Sequence, residues 1–357
     1  MQLGVIEGFY GRVWTPGDRR MMTEYLPRLG YSSFIYAPKA DKKLRSQWRV
    51  AWDGSEMEAL LQQAQGFAQC ELGWGVGLSP MGLNELTVSE VQALERKLQQ
   101  ISALSPSLLC LLFDDMPGGR DDLAATQLQI VERVSSSIAS ETKLIVCPTY
   151  YSFDPILEEL FAARPENYWM ELGRQLDPAI DIFWTGDKVC SDSYPAEGLS
   201  QIADLFQRKP VLWDNYPVND SRSLSPFIRV EPFTNREPWL RDYIAAHFVN
   251  PMNQASLSLL PLATLSPVYA RATEGSSAAS LLSAQQSAWR EMLAELAVQP
   301  DLFEQAREIF AAGLPAIGEL EKGRWRERFL QEGSPAAAEV VDWLDGAYVF
   351  DPDCLTD

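Results

Sequence analysis

Eight short apolar runs, each ending in polar or turn-forming residues, limit what this chain can become more than any other feature. They span residues 3–6, 33–37, 72–78, 108–113, 143–147, 180–184, 210–213 and 246–249. Near-continuous apolar runs of this length read as strands buried on both faces, which belong to parallel sheets. Parallel neighbours need long crossovers, usually helices. The stretches between the runs are mostly of helical periodicity, as where Met57, Leu60, Leu61, Ala64 and Phe67 recur. Thr87-Val88-Ser89-Glu90 adds a capping-box pattern at the start of one such helix. Together these describe an α/β chain folded as a (β/α)8 TIM barrel. Such a barrel takes about 250 residues, so it should close near residue 270. After Ser276 the pattern changes. Leu281, Ala284, Ala288, Met292 and Leu296 form one helical stripe, and residues 300–313, 319–331 and 335–347 read as further helices. We expect a catalytic barrel over 1–270 and a C-terminal helical segment over 271–357. That segment either completes the outer ring, caps the barrel or carries a dimer contact; stripes of this kind are more often core.

The fourth run carries the chemistry. Leu108-Leu109-Cys110-Leu111-Leu112-Phe113 leads straight into Asp114-Asp115-Met116 and then Pro117-Gly118-Gly119. In parallel α/β folds the reactive groups sit where the chain leaves the carboxyl end of a strand. Neighbours within a strand face opposite ways, but this pair lies where the chain turns out, so both carboxylates can converge on one pocket. Crowded carboxylates repel, and one tends to hold a proton at neutral pH. A protonated acid beside a carboxylate suits acetal cleavage. A solvated Asp-Asp turn is the plainer alternative, and a divalent-cation site a weaker one.

Composition removes several function classes. With 30 Lys+Arg against 49 Asp+Glu the formal charge is −19. Such a chain is repelled by nucleic acid and by anionic membranes, so neither is an expected partner. No apolar stretch is long enough to span a bilayer, and Met1-Gln2-Leu3 leads directly into a strand without a signal peptide. The expected location is cytoplasmic. Cys70, Cys110, Cys147, Cys190 and Cys354 are odd in number and far apart, and they read as reduced packing residues without metal spacing. The one histidine, His247, leaves little for a Ser-His-Asp or His-metal mechanism and reads as structural. No cofactor and no metal are expected.

Other strand ends supply partners. Lys39 follows Tyr36-Ala37-Pro38 where the second run meets a polar loop, and a fixed ammonium there can hold hydroxyls or an acid. Lys42 and Lys43 read as solvated, and Trp48 and Trp52 as core. Trp213-Asp214-Asn215, with Asp220 beyond, joins an aromatic, an amide and carboxylates at one strand end. Carbohydrate sites use this mixture: a ring packs on the sugar's C–H face while Asn and Asp fork onto hydroxyls. A structural turn made by Pro217 and Asn219 explains Asn219 but not Asn215 or Asp220. Asn250 and Tyr151 are further candidates by position.

Gly4-Val5-Ile6-Glu7-Gly8-Phe9-Tyr10-Gly11-Arg12, Tyr36-Ala37-Pro38-Lys39, Leu112-Phe113-Asp114-Asp115, Cys147-Pro148-Thr149-Tyr150-Tyr151, Phe183-Trp184-Thr185-Gly186, Trp213-Asp214-Asn215-Tyr216-Pro217-Val218-Asn219-Asp220 and Asn250-Pro251 occur in that order. Together they resemble family 84 glycoside hydrolases, the protein O-GlcNAcases and related β-N-acetylglucosaminidases, sometimes called hyaluronidases. The resemblance covers about residues 3–253. It implies a (β/α)8 barrel and retaining exo-hydrolysis of terminal β-linked GlcNAc, in which the substrate's own 2-acetamido oxygen attacks C1 and forms an oxazoline. On this pattern Asp114 orients the acetamide N–H and Asp115 is the general acid/base. Gly8, Lys39, Asn215, Asp220 and Asn250 hold the sugar, and Tyr151 and Trp213 wall the acetamide. The implied partner is a GlcNAc-bearing glycoside, glycopeptide or glycoprotein. The chain departs from the family pattern at Ala40, Leu44 and Tyr150, beside the matched contacts, which bears on the group attached to the sugar. Hydrolysis of hyaluronan or chitin-type oligosaccharides, and a non-catalytic GlcNAc-binding barrel, are the rival readings.

Overall fold

The computed structural model describes residues 1–270 and 278–350. Eight strands close a barrel in sequence order: β1 (Gln2–Glu7), β2 (Ser33–Tyr36), β3 (Gly73–Leu78), β4 (Leu108–Leu112), β5 (Lys143–Cys147), β6 (Asp181–Trp184), β7 (Val211–Asp214) and β8 (Ala246–Val249). Every neighbouring pair is parallel, and β8 returns to β1 with Gln2 opposite Ala246. The eight expected runs are these eight strands.

Side-chain alternation divides the barrel into two cores. Leu108, Cys110 and Leu112 of β4 point inward with Ile145 and Cys147, Val211 and Trp213, and Ala246 and Phe248. Leu109, Leu111 and Phe113 point outward into the layer beneath the helices. Trp48 and Trp52 lie in that outer core, as the sequence suggested.

The ring consists of α1 (Pro16–Tyr25), α2 (Gly54–Gln69), α3 (Val88–Ala103), α4 (Leu123–Ser135), α5 (Ile156–Phe161), α6 (Tyr168–Gln175), α7 (Ala196–Phe206) and α8 (Ala255–Ala270). A long loop with one 3-10 turn, Pro238–Asp242, joins β7 to β8. Thr15 and Asp53 open α1 and α2 as N-caps with reciprocal capping boxes. The pattern at Thr87 is only half realised. Thr87 Oγ1 accepts from the Glu90 amide, but the Glu90 carboxylate is drawn away by the Arg49 guanidinium at 2.8 Å.

The C-terminal segment supplies α9 (Ala278–Leu296), α10 (Pro300–Ala312), α11 (Glu319–Glu332) and α12 (Pro335–Leu344). Residues 271–277, at the expected boundary, and Cys354 lie outside the described residues. Helices α9 and α12 pack on α8. That is why α8 carries no charged residue and is buried nearly all round, where a ring helix would ordinarily keep a polar outer stripe. Glu339 of α12 accepts hydrogen bonds from the Ser256 and Leu257 amides at 2.8 and 2.9 Å. It caps α8 from another helix, so the segment clamps the chain just past the end of β8.

Burial pushes the Glu339 carboxyl up to about 7, and its two amide donors only partly offset this. A carboxyl raised on folding contributes stability that is complete below its unfolded range and lost as pH rises through 7. Melting temperatures between pH 5.5 and 8.5 should show this slope, and Glu339→Gln should flatten it. Glu339→Ala removes the cap as well and should cost about 1–2 kcal/mol. A slope unchanged in both variants would contradict the assignment.

Candidate active site

Gly8, Lys39, Asp114, Asp115, Tyr151, Trp213, Asn215, Asp220 and Asn250, drawn from six of the eight strand ends, line one cavity of about 320 Å³ at the barrel's carboxyl face. A larger groove of about 610 Å³ runs between α1 and α2, but it contains neither aspartate. Its buried Arg19 is already paired with Glu7 at 2.7 Å. The candidate residues therefore gather in the smaller cavity.

The aspartates are placed by the end of β4. The Phe113 amide still bonds to the Cys147 carbonyl at 2.9 Å, and the Thr149 hydroxyl donates to the Phe113 carbonyl at 3.0 Å. The chain then turns, with the Met116 amide donating to the Phe113 carbonyl. Asp114 and Asp115 thus face one pocket despite being neighbours. Between them stands Lys39, whose Nζ is 2.7 Å from Asp114 Oδ2 and 2.6 Å from Asp115 Oδ2. Both carboxylates outbid burial for the lysine proton, so its ammonium is held well above its usual range.

The two carboxyls are not equivalent. Burial raises Asp114, and Lys39 offsets this only in part. Burial works against ionised Asp115 too, but Lys39 and Arg45 together outweigh it and hold that carboxyl below the usual range. Arg45 Nη2 lies 3.0 Å from Asp115 Oδ2. Asp114 Oδ1, by contrast, is buried and receives no hydrogen bond from any described residue.

The opposite wall is an amide network. Asn250 Oδ1 accepts from the Gly8 amide at 3.2 Å, and Asn250 Nδ2 donates to Asn215 Oδ1 at 3.0 Å. That oxygen also accepts from the Trp213 indole at 3.0 Å, while Asn215 Nδ2 donates to the Val189 carbonyl at 2.8 Å. Asp220 accepts from the Tyr10 amide at 2.8 Å. Gly8 has a steric reason to be glycine, since a Cβ there would sit 2.6 Å from the Trp213 ring.

Two sequence readings need correction or refinement. Asp214 is not part of this cluster: it faces away from the cavity, fully buried, with Arg236 at 2.6 Å and His247 at 2.9 Å. His247 is structural, as expected, and also contacts the Tyr269 hydroxyl at 2.8 Å. Lys43 pairs with Glu56 rather than standing in solvent. Tyr150, Leu44 and Ala40 all lie off the cavity. Tyr150 ties the loop after β4 to the end of α5, donating to the Ala162 carbonyl at 2.7 Å and accepting from Gly119. Tyr10 and Arg45 received no role from the sequence, although Tyr10 lies within the Gly8–Gly11 motif. Phe350, beyond α12, also reaches the cavity wall with Leu160, Phe161 and Leu224. Among the described residues no group of three or more His, Cys, Asp or Glu side chains is gathered to hold a metal.

This chain resembles known proteins along most of its length. It is 29% identical to the Protein O-GlcNAcase of Rattus norvegicus, and equally to that of Mus musculus, over 277 residues. That alignment takes in 74% of this chain but spans only 30% of the length of those curated relatives. A mutant of the Thermobaculum terrenum O-GlcNAc hydrolase superposes with a TM-score of 0.73 at 25% identity, covering 96% of this chain and 80% of that one. The NAGidase profile, described as beta-N-acetylglucosaminidase, matches residues 3–310, past the barrel and into α10. With the fold, the cavity and a match over most of the sequence agreeing, the chain belongs to the beta-N-acetylglucosaminidase (NAGidase) family.

Proposed function

We propose that this protein is a retaining exo-β-N-acetylglucosaminidase that removes terminal β-linked GlcNAc by substrate-assisted catalysis. The observation that carries this reading is Asp114: one carboxylate oxygen fixed by Lys39, the other buried at the cavity without a donor among the described residues. An acetamide N–H is the complement of that oxygen. Accepting it aims the acetamide carbonyl at C1 and stabilises the positive charge that builds as the oxazoline forms. A hydrogen bond to an ionised carboxylate also favours its ionised form. Sugar binding thus favours the ionised form of Asp114, the carboxyl that burial raises, and leaves Asp115 as the member of the pair to carry a proton. Asp115 then protonates the departing oxygen and, as the oxazoline opens, takes a proton from water. Gly8, Asn215, Asp220 and Asn250 hold the ring, and Trp213 and Tyr151 enclose the acetamide.

Residues 1–270 carry this chemistry, and in the segment over 271–357 the described helices α9 and α12 brace α8 while Phe350 joins the pocket wall. The substrate is a GlcNAc-bearing glycoprotein, glycopeptide or small glycoside. The place of action is the cytoplasm, which accords with free thiols at Cys70, Cys110, Cys147 and Cys190. No helix among the described residues is long and apolar enough to cross a membrane.

Hydrolysis of aryl β-glycosides tests the reading. The GlcNAc glycoside should be turned over, and the plain glucoside should be slower by several orders of magnitude because it offers no internal nucleophile. Comparable kcat/KM for the two sugars would reject substrate assistance. Binding without turnover of any β-GlcNAc glycoside would favour the non-catalytic rival.

A further inference from the structure

Lys39 cannot by itself make Asp114 and Asp115 different, because it touches both at nearly equal distance. Arg45 can. It is 3% exposed and does not line the cavity, yet it reaches three groups that build it. Its Nη1 donates to the Lys39 carbonyl at 2.8 Å, fixing the loop that presents the ammonium. Its Nη2 donates to the Tyr10 hydroxyl at 3.2 Å and lies 3.0 Å from Asp115 Oδ2. Its own Nε is buried without a partner among the described residues, so the guanidinium is placed for these contacts at some expense to itself.

We propose that Arg45 is the positioning residue that sets the two aspartates apart, holding Asp115 as a carboxylate in the resting site and thereby fixing the alkaline limit of activity. This rests on the reading of Asp115 as the general acid. The groups facing Asp115 are Lys39 from the end of β2, Arg45 from the loop that follows, Tyr10 from the loop after β1, and Asp114 beside it. Asp220 and Tyr151 feel its charge from further off. Of these, Lys39 and Arg45 are the cations, and Arg45 is the one that bonds Asp115 without also bonding Asp114. An acid is useful only while protonated, so a cation beside Asp115 lowers the pH at which its proton is lost. The two aspartates titrate as a pair, and the upper limb of kcat/KM reports the pair's second proton. Removing the cation that bonds Asp115 alone should raise that limb.

The test is the pH profile of kcat/KM on aryl β-GlcNAc glycosides for wild type, Arg45→Met, Arg45→Gln and Arg45→Lys. The two neutral variants should move the alkaline limb upward by about one pH unit or more, the effect expected of an adjacent opposite charge. Arg45→Lys, which keeps a charge with a shorter reach, should fall between them and wild type. KM should also rise in the neutral variants as Lys39 loses its brace. If Arg45→Met does not fold, judged by circular dichroism and melting, Arg45→Gln carries the same comparison. An alkaline limb within half a unit of wild type in a folded neutral variant, or a downward shift, overturns the proposal. A merely structural role would lower rate or stability and leave the limb in place. The underlying reading fails separately, if wild type hydrolyses no β-GlcNAc glycoside or if Asp115→Ala affects good and poor leaving groups alike.

Discussion

Asp115→Ala should slow the release of poor leaving groups by about 10²–10⁴-fold while sparing activated phenols much of that loss. A general acid matters in proportion to the basicity of the oxygen it protonates. An activated phenol departs as a stable anion, whereas an alkyl oxygen, such as that of a serine side chain, does not. The glycosylation step of the Asp115 variant should therefore depend steeply on leaving-group pKa. Asp114→Ala should behave differently. In the proposed mechanism the charge that Asp114 stabilises lies on the acetamide, appears whatever the leaving group is, and appears again when the oxazoline opens. Its loss should slow all substrates more evenly and should weaken an oxazoline-like inhibitor. Lys39 couples the two effects, since removing either carboxylate turns its ammonium wholly toward the other. The double variant should accordingly lose less than the two single losses combined. The measurement is kcat/KM across aryl GlcNAc glycosides of graded leaving-group pKa. A steep dependence for Asp114→Ala and a flat one for Asp115→Ala would reverse the roles. Near-wild-type rates in both variants would make the pair structural.

What the sequence disclosed, and what it hid, follows from the range of the interactions involved. The strands were legible because a strand buried on both faces has to be apolar throughout, and few other elements of that length need to be. The pocket was legible for a related reason. Polar side chains at the carboxyl ends of buried strands have one common place to go, so Gly8, Lys39, Asp114, Tyr151, Asn215 and Asn250 could be expected around one mouth. Side-chain parity was present but unused: Trp213 points into the barrel, so its neighbour Asp214 has to point out. The absence of charge from Ala255–Ala270 likewise signalled a helix covered on its outer face. Contacts across long sequence separations left no local trace. The Lys39 bridge to aspartates 75 and 76 positions away depends on loop conformation, as do the reach of Arg45 to Asp115 and the arrival of Phe350. Periodicity reports which face is buried, not which partner meets it there.

Arg236→Met should cost about 3–5 kcal/mol of stability, enough to lower the melting temperature by on the order of 10 °C. Asp214 has no access to water, and its charge is tolerated because Arg236 grips both oxygens, Nη2 at 2.6 Å and Nε at 2.8 Å, while His247 Nε2 adds a third contact at 2.9 Å. A carboxylate only accepts hydrogen bonds, so Nε2 carries the proton of that contact. The Arg236 guanidinium also donates to the Ser191 and Asp192 carbonyls, and His247 reaches Tyr269 of α8. One cluster thus fastens β7, β8, the loop after β6 and α8 together behind Trp213 and Asn215. Burial alone would raise Asp214, but Arg236 and His247 reverse this and hold its carboxyl well below the usual range. A carboxyl lowered on folding contributes stability that is present above the ordinary Asp range and lost as pH falls beneath it, below about pH 4. Without Arg236 the balance inverts. Burial then dominates, the carboxyl rises, and the variant regains stability as acid neutralises it. The deficit relative to wild type should therefore be largest at neutral pH and shrink toward pH 4.5. Pairing Arg236→Met with Asp214→Asn removes the buried charge and should recover part of the loss at neutral pH. Thermal melts of wild type, the single variant and the double variant across pH 4.5–8 decide it. A deficit under about 1 kcal/mol, or one that does not change with pH, would mean that Asp214 is not held ionised by Arg236. The same variants should raise KM before they lower kcat, because the strand that shifts carries Trp213 and Asn215 while the aspartates stand on β4.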